Sequence, residues 1–327
     1  MNVMKEKHLL TNGNRLAAKL QRLALAVCLL TAICACQGAD ESHVGPSLKV
    51  LTWNVWHGGH SEEYPERGCE GTIGMLKASG ADVITMVETY GASNRVADSL
   101  GYYHRLISNN LSIYSRYPIV ETYTYPDSIA TFNFGGVMID VGGRRVRVFD
   151  TWLHYLPDAT EVPTDSTEQA IIAWECSGTR DEEIRRILST LRPYLNEADS
   201  IPVIMSGDFN THSHLDWTAA TRQLYRHGGA VVRWPVSVAM EQAGFKDSFR
   251  EIYPDAAQHI GTTWRYAGEE PNRSDRIDYI YYTGKKLKAV ASETHNGLLG
   301  EPYTFRGREF LYASDHGFVL TEFKWDR

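Results

Sequence analysis

The sequence predicts a layered α/β sandwich rather than a barrel. Short β-rich segments dominate the chain beyond residue 47. Helical patterns fall between them instead of forming a separate block. Some neighbouring strands are joined by a tight turn and others by helix-length connections, so hairpins and crossovers occur together.

In chain order, strands are expected at Leu48–Val55, Asp82–Val87, Leu111–Ser115, Gly136–Val141, Arg145–Trp152, Pro202–Met205, Arg276–Tyr282 and Phe318–Trp325. Gly142-Gly143 lies between two alternating runs and reads as a hairpin turn. Thr72–Ala78 and Val236–Ala243 are short helix candidates. Asp181–Leu195 carries Ile184, Ile187, Leu188 and Leu191 at helical spacing, which gives one apolar face. No Pro/Ser linker, low-complexity tract or heptad run interrupts residues 48–327, which read as one domain.

The first residues differ. Lys5, Lys7, Arg15, Lys19 and Arg22 precede an apolar stretch from Leu23 to Ala35, the pattern of an export signal over residues 1–35. Ala35 stands directly before Cys36, which resembles a bacterial lipobox, and residues 36–47 read as a polar tether. Lipid on Cys36 would hold an exported protein on the periplasmic or cell-surface side of a bacterial membrane. Nothing further along is long and apolar enough to span a bilayer. Loss of residues 1–35 removes five bases and one acid, so the net charge moves from −7 to −11. That balance gives no long-range help with polyanions and argues against nonspecific nucleic-acid binding, though a nuclease stays open. Cys69 and Cys176 remain, paired or free.

Several apolar strands end in groups that prefer water. They are Asn54, Glu88, His154, the Asp208/Asn210 pair, Asp278, and Asp315-His316 before the last strand. Any one of them reads as a turn former or cap. Together they supply two histidines, two amides and four carboxylates, and carboxylates gathered in one place need a cation or hydrogen-bond donors. An oxygen-rich set without cysteine suits Mg²⁺ or Mn²⁺ better than Zn²⁺. Residues two apart on a strand share a face, so Asp208 and Asn210 are expected side by side.

Thr52-Trp53-Asn54-Val55, Val83-Ile84-Thr85-Met86-Val87-Glu88, Ser115-Arg116-Tyr117-Pro118-Ile119, Gly207-Asp208-Phe209-Asn210, Arg276-Ile277-Asp278-Tyr279 and Ser314-Asp315-His316 occur in one order. In that order they resemble the endonuclease/exonuclease/phosphatase superfamily, with its deoxyribonuclease I-like fold, over residues 48–325. Val87 stands where the family usually has glutamine, and the proline that often follows the last motif is missing. Trp56-His57-Gly58-Gly59 and Ser213-His214-Leu215-Asp216-Trp217 extend two motifs.

The resemblance implies a four-layer sandwich: two mixed, mostly antiparallel β-sheets face to face, with helices outside. It implies a monomeric metal-dependent phosphoesterase. Glu88 would hold Mg²⁺ or Mn²⁺ with Asn54 beside it, and Asp315 would join the same or a second site. Asp208 would orient or deprotonate the attacking water, and Asn210 would hold that water or a phosphoryl oxygen. Asp278 would pair with His316, which stabilises charge or acts as base, and His154 would donate to the phosphate or leaving group. His57 and His214 are substrate-contact candidates as well as packing residues, His212 is expected at the surface, and Asp275 reads as a turn or ion-pair residue. Trp56, Trp217 and Trp234 are pocket or core residues. The leading substrate is a small or lipid-linked phosphate ester. The alternative is a secreted or surface nuclease, for which Arg222, Arg226 and Arg233 are the modest basic candidates. A noncatalytic binding protein of the same fold fits the assembled polar groups worst.

Overall fold

The computed structural model describes residues 47–326 apart from 62, 124, 126–132 and 266–273. The candidate leader, Cys36 and the tether up to residue 46 lie outside the described residues. The strands are β1 (Ser47–Asn54), β2 (Val83–Val87), β3 (Tyr103–Ser108), β4 (Leu111–Ser115), β5 (Ile119–Tyr123), β6 (Phe134–Val141), β7 (Arg144–Trp152), β8 (Val203–Asp208), β9 (Lys246–Asp247), β10 (Trp264–Arg265), β11 (Ser274–Asp275), β12 (Asp278–Thr283), β13 (Leu287–His295), β14 (Pro302–Phe305), β15 (Arg308–Leu311) and β16 (Phe318–Trp325). The helices that matter here are α1 (Pro65–Ser79), α2 (Ser93–Leu100), α3 (Glu168–Glu175), α4 (Arg180–Asn196), α5 (Pro235–Gln242) and α6 (Ser248–Ile252).

Two six-stranded sheets form, in the orders β13-β16-β1-β2-β4-β3 and β5-β6-β7-β8-β12-β9. Each has one parallel pair, β1 with β2 and β7 with β8. A parallel pair needs a long crossover, which α1 provides in the first sheet and α3 with α4 in the second. Helix α1 starts on Pro65 and stops at Gly80 in a left-handed conformation, the usual proline-first, glycine-last arrangement.

Strand alternation builds the layers. Leu48 and Val50 of β1 meet Val146, Val148, Ile204 and Ile280 of the other sheet in a buried cluster. The intervening residues Leu51 and Trp53 pack on the opposite face against Cys69, Ile73 and Leu76 of α1. Phe149 and Met205 likewise face Ile184, Ile187 and Leu191 of α4 and Met240 of α5. The result is helix, sheet, sheet, helix. Leu111–Ser115 and Phe318–Trp325 are strands end to end as expected; β8 runs on to Asp208 and β12 starts only at Asp278. Cys69 is buried and Cys176 exposed, and both are free thiols. Among the described residues no helix is long and apolar enough to cross a membrane.

Gly207 has a structural reason. Its φ is +135°, and a Cβ there would lie 2.0 Å from the Thr151 carbonyl oxygen on β7. Gly207→Ala is expected to destabilise the fold by more than about 1 kcal/mol, read as a lower urea midpoint at constant slope.

Candidate active site

The topology brings the polar strand ends together. β1 and β2 run parallel with Asn54 opposite Val87, so Asn54 and Glu88 leave the first sheet at the same edge. In the second sheet Asp208 ends β8, next to Trp152 at the end of β7. The antiparallel partners start where these strands stop. Asp278 opens β12 opposite Asp208, and Phe318 opens β16 opposite Trp53, which delivers His316.

Below this edge the inter-sheet face changes from apolar to polar. Thr52, Thr85, Asp150 and Ser206 are all buried, and Thr52 and Ser206 precede Asn54 and Asp208 by one pleat. Thr85 Oγ1 lies 2.9 Å from Ser206 Oγ across the two sheets. Both carboxyl oxygens of Asp150 are buried without a partner. Burial pushes its pKa well above the ordinary value, and the nearby Thr151 main chain opposes that only in part.

One amide joins the two halves of the site. Asn54 Nδ2 donates to Asp208 Oδ2 at 3.0 Å and to Glu88 Oε1 at 3.1 Å, and lies 3.5 Å from His316 Nε2. His316 Nδ1 is 3.0 Å from Asp278 Oδ2, and His316 Nε2 is 3.8 Å from Asp208 Oδ2. The main chain of His316 is fixed as well: Trp53 Nε1 and the Tyr312 hydroxyl each donate to its carbonyl at 3.0 Å. Ser314 Oγ donates to the Asn54 carbonyl at 2.7 Å, so the serine of Ser-Asp-His ties this loop to β1.

Burial alone would strip the proton from His316, but the Asp278 and Asp208 carboxylates prevail and hold its pKa at about 10. The ring is therefore an imidazolium with N–H groups at both nitrogens. Asp208 is raised to about 7, chiefly by burial; His316 opposes the shift and Asp278 adds to it.

Asn210 reaches Asp208 by a different route from the one expected. The strand ends at Asp208, and Asn210 is left-handed with φ +52°. Its N–H donates to Asp208 Oδ1 at 2.9 Å, and its Nδ2 donates to the Leu153 carbonyl at 2.9 Å and to Asp208 Oδ2 at 3.2 Å. A turn, not strand periodicity, puts the two side chains together.

The other candidates are dispersed. His154 is exposed; its imidazole turns back on the Leu156 main chain, with Leu156 N at 3.2 Å from Nδ1. Among the described residues that imidazole makes no hydrogen bond to Asp208, Asn210 or His316. Asp315 is half-buried, with Oδ1 unpartnered. His57 is exposed beside Glu88, its N–H 3.5 Å from Glu88 Oε2. His214 lies elsewhere, bonded to Ser237 Oγ at 2.9 Å and near Glu241 at 3.3 Å. It lines a cavity of about 560 Å³ that none of the site's groups touches. His212 is buried, contrary to expectation. It packs on Trp217 and Trp234 and pairs with Asp275 at 3.5 Å, because Trp217 and Trp234 join Ile171 and Val232 in a small core of their own.

Four residues escaped the sequence reading. Trp152 shares the pleat side of Asp150 and stands beside Asp208 in register. Trp264 stacks on the His316 ring, with centroids 5.9 Å apart. Arg180 and Glu175 form a buried ion pair that clamps two site loops. Arg180 donates to the His154 and Pro157 carbonyls at 3.1 and 2.9 Å, and Glu175 accepts from Thr211 at 2.7 Å. Only Trp152 carried a signal, as a large apolar residue two positions before His154.

The donor set fits a hard cation. Glu88 has no Lys or Arg partner among the described residues, and Asp278 Oδ1 is buried without a hydrogen bond. Asp208, Asp278 and His316 place ligating atoms within 4.8 Å of one another. His316 Nδ1 is engaged by Asp278 at 3.0 Å, and the remaining donors are mostly oxygens, a set that suits Mg²⁺ or Mn²⁺. Glu88 and Asn54 would hold the ion. The Asn54 oxygen accepts one N–H, from Trp56 at 3.0 Å, and keeps a second lone pair.

The sequence matches the model of the Endonuclease/Exonuclease/phosphatase family over residues 51–316. It is 28% identical over 270 residues to the uncharacterized protein F14F9.5 of Caenorhabditis elegans, an alignment covering 76% of this chain and 82% of that one. Among solved structures, an endonuclease/exonuclease/phosphatase from Beutenbergia cavernae superposes with TM-score 0.56 at 18% identity, covering 85% of this chain and 72% of the other. D. rerio TDP2 complexed with single strand DNA product superposes with TM-score 0.54 at 16% identity, covering 85% and 98%.

Proposed function

The chain belongs to the endonuclease/exonuclease/phosphatase family, and we propose that it hydrolyses a phosphate ester with the help of a divalent cation. The observation that carries this reading is the Asn54 amide, which links Glu88 to Asp208 within hydrogen-bond distance of both. A cation holder and a proton acceptor thus stand on either side of one small group.

A bound Mg²⁺ or Mn²⁺ would polarise a phosphoryl oxygen and offset charge in the transition state. Asp208, oriented by Asn54 and by the Asn210 N–H, accepts the proton of the attacking water. His316, kept cationic by Asp278, offers its Nε2–H to the phosphoryl oxygens as negative charge builds. Asn210 holds Asp208 in place through the turn. His154 reaches the leaving group only if its exposed ring swings away from Leu156.

We favour a small or lipid-linked ester over nucleic acid because the chain is acidic. A nuclease is the second reading, prompted by the likeness to TDP2 bound to single strand DNA product. An export leader and lipid on Cys36 would present the site outside the cytoplasm. The test is a hydrolysis panel of plasmid DNA, RNA, phospholipids, sphingomyelin, and sugar and inositol phosphates, run with Mg²⁺ and with chelator. Turnover of a small or lipid ester that stops with chelator is expected. Faster nicking of plasmid would shift the assignment to a nuclease, and no turnover of any member would end the reading.

A further inference from the structure

We propose that Trp56, His57 and Tyr90 form a shelf that receives a flat aromatic ring of the substrate beside the scissile phosphate. The phosphate's position rests on the reading above; the shelf stands on its own geometry. Trp56 and His57 meet edge to face with ring centroids 4.5 Å apart, and His57 lies 6.1 Å from Tyr90. The Trp56–Gly58 segment is tied to both proposed cation holders: Gly58 N–H donates to the Glu88 carbonyl at 2.7 Å, and Trp56 N–H to Asn54 Oδ1 at 3.0 Å.

The backbone shows that this arrangement is held at a cost. Trp56, His57, Glu88 and Tyr90 all have positive φ, at 47°, 48°, 60° and 32°. Bulky residues avoid that region, and each instance there costs on the order of 1–3 kcal/mol. Glycine at position 56, 57 or 90 would relieve the strain, so the rings themselves are what these segments hold. The tight approach also explains Gly58-Gly59: a Cβ on Gly58 would meet the Thr89 carbonyl at 3.1 Å, and one on Gly59 would meet Thr72 at 2.9 Å. Yet Tyr90 is left 41% exposed and His57 is exposed too, so the strain serves no core. A shelf of ring faces with polar edges suits a planar π system better than an acyl chain.

A nucleobase and an aryl leaving group share that chemistry, and the experiment separates them. Calorimetry of the Asp208→Ala protein in Mg²⁺ buffer, where turnover is suppressed, would compare AMP, phenyl phosphate and glycerol 3-phosphate, which present the same phosphomonoester. AMP, phenyl phosphate or both are expected to bind at least about tenfold more tightly than glycerol 3-phosphate, the range of one aromatic stacking contact. Tighter AMP would assign the ring to a nucleobase, tighter phenyl phosphate to an aryl group. Tyr90→Asn and His57→Asn remove a ring while tolerating positive φ; each should collapse that preference, whereas Tyr90→Phe should keep it. Equal affinities, no binding of any of the three, or a preference that survives both Asn variants would overturn the shelf. Because binding is read without turnover, a ring preference in a protein that hydrolyses nothing would sink the catalytic reading alone. Hydrolysis without ring preference would sink only the shelf.

Discussion

Asp208→Ala is expected to lower kcat for the best substrate by roughly 10²-fold or more, with a smaller change in KM, because it removes the group placed to take the water's proton. Steady-state rates on the panel substrate check this. The variant should remain folded, since Asp208 contributes little packing and its burial is a cost to the native state. That cost has a pH signature. In chelator, the Asp208 carboxyl has a native value of about 7, against an ordinary value of 3.8. A raised acid binds its proton more tightly when folded, so its contribution is present below about 4 and is lost as pH rises through about 7. His316, with a native value of about 10, contributes fully below its ordinary 6.5 and loses that contribution as pH rises through about 10. Urea midpoints of the chelated protein should therefore decline between about pH 4 and 7 through Asp208, and Asp208→Asn should remove that component. An unchanged decline in the variant would show that another group carries it.

Asp216→Ala should cost about 3–5 kcal/mol of stability, the range for breaking a buried ion pair. Asp216 is buried, with Arg250 Nε at 2.6 Å and Arg276 Nε at 2.9 Å; Asp247 completes the group at 2.7 Å from Arg276 Nη1. Burial alone would raise the Asp216 carboxyl, but the Arg276 and Arg250 guanidinia hold it below the ordinary value. Without it, the buried Arg276 guanidinium keeps Asp247 and the buried Arg250 guanidinium is left with the Tyr253, His259 and Ile260 carbonyls. A depressed acid contributes above its unfolded value and loses that contribution as pH falls through the folded one, so the wild type gains acid sensitivity from this group. Equilibrium urea unfolding at pH 7 measures the loss; a change under 1 kcal/mol would show that water replaces the missing partner. Arg276 sits two residues before Asp278, whose N–H, with that of Ile277, donates to Thr263 Oγ1 at 3.1 Å. The same variant should therefore also weaken activity.

The strands that bury both faces were legible, because Val, Ile and aromatic residues crowd them, as in β1, β4 and β16. Edge elements were not. Tyr103, Arg105 and Leu106 of β3 face solvent, and β13 alternates buried residues with Lys288 and Val290 and then shifts register at Ala289/Ala291, so neither shows a clean period. Helix α2 is short, with Val96 and Ala97 its buried apolar residues. At the site, Asn54, Glu88, Asp208, Asp278 and His316 could be read because each interrupts an apolar run where a carboxylate or amide is costly. The side chains that turn on loop geometry could not. His212 is internal because a tryptophan pair folds over it, and Asn210 is aligned by a left-handed turn. His214 is drawn off by Ser237. Nothing local to Arg180 and Glu175 reveals that they meet in the interior.

The hydrogen bonds that assemble the centre run across the seam between the sheets: Asn54 to Asp208, His316 to Asp278, and Thr85 to Ser206. Neither sheet owns a complete set of reacting groups. Chemistry thus reports on the docking of the two halves, and a slight parting of the sandwich, like a book loosening at its spine, would silence the molecule while every strand still held its neighbours.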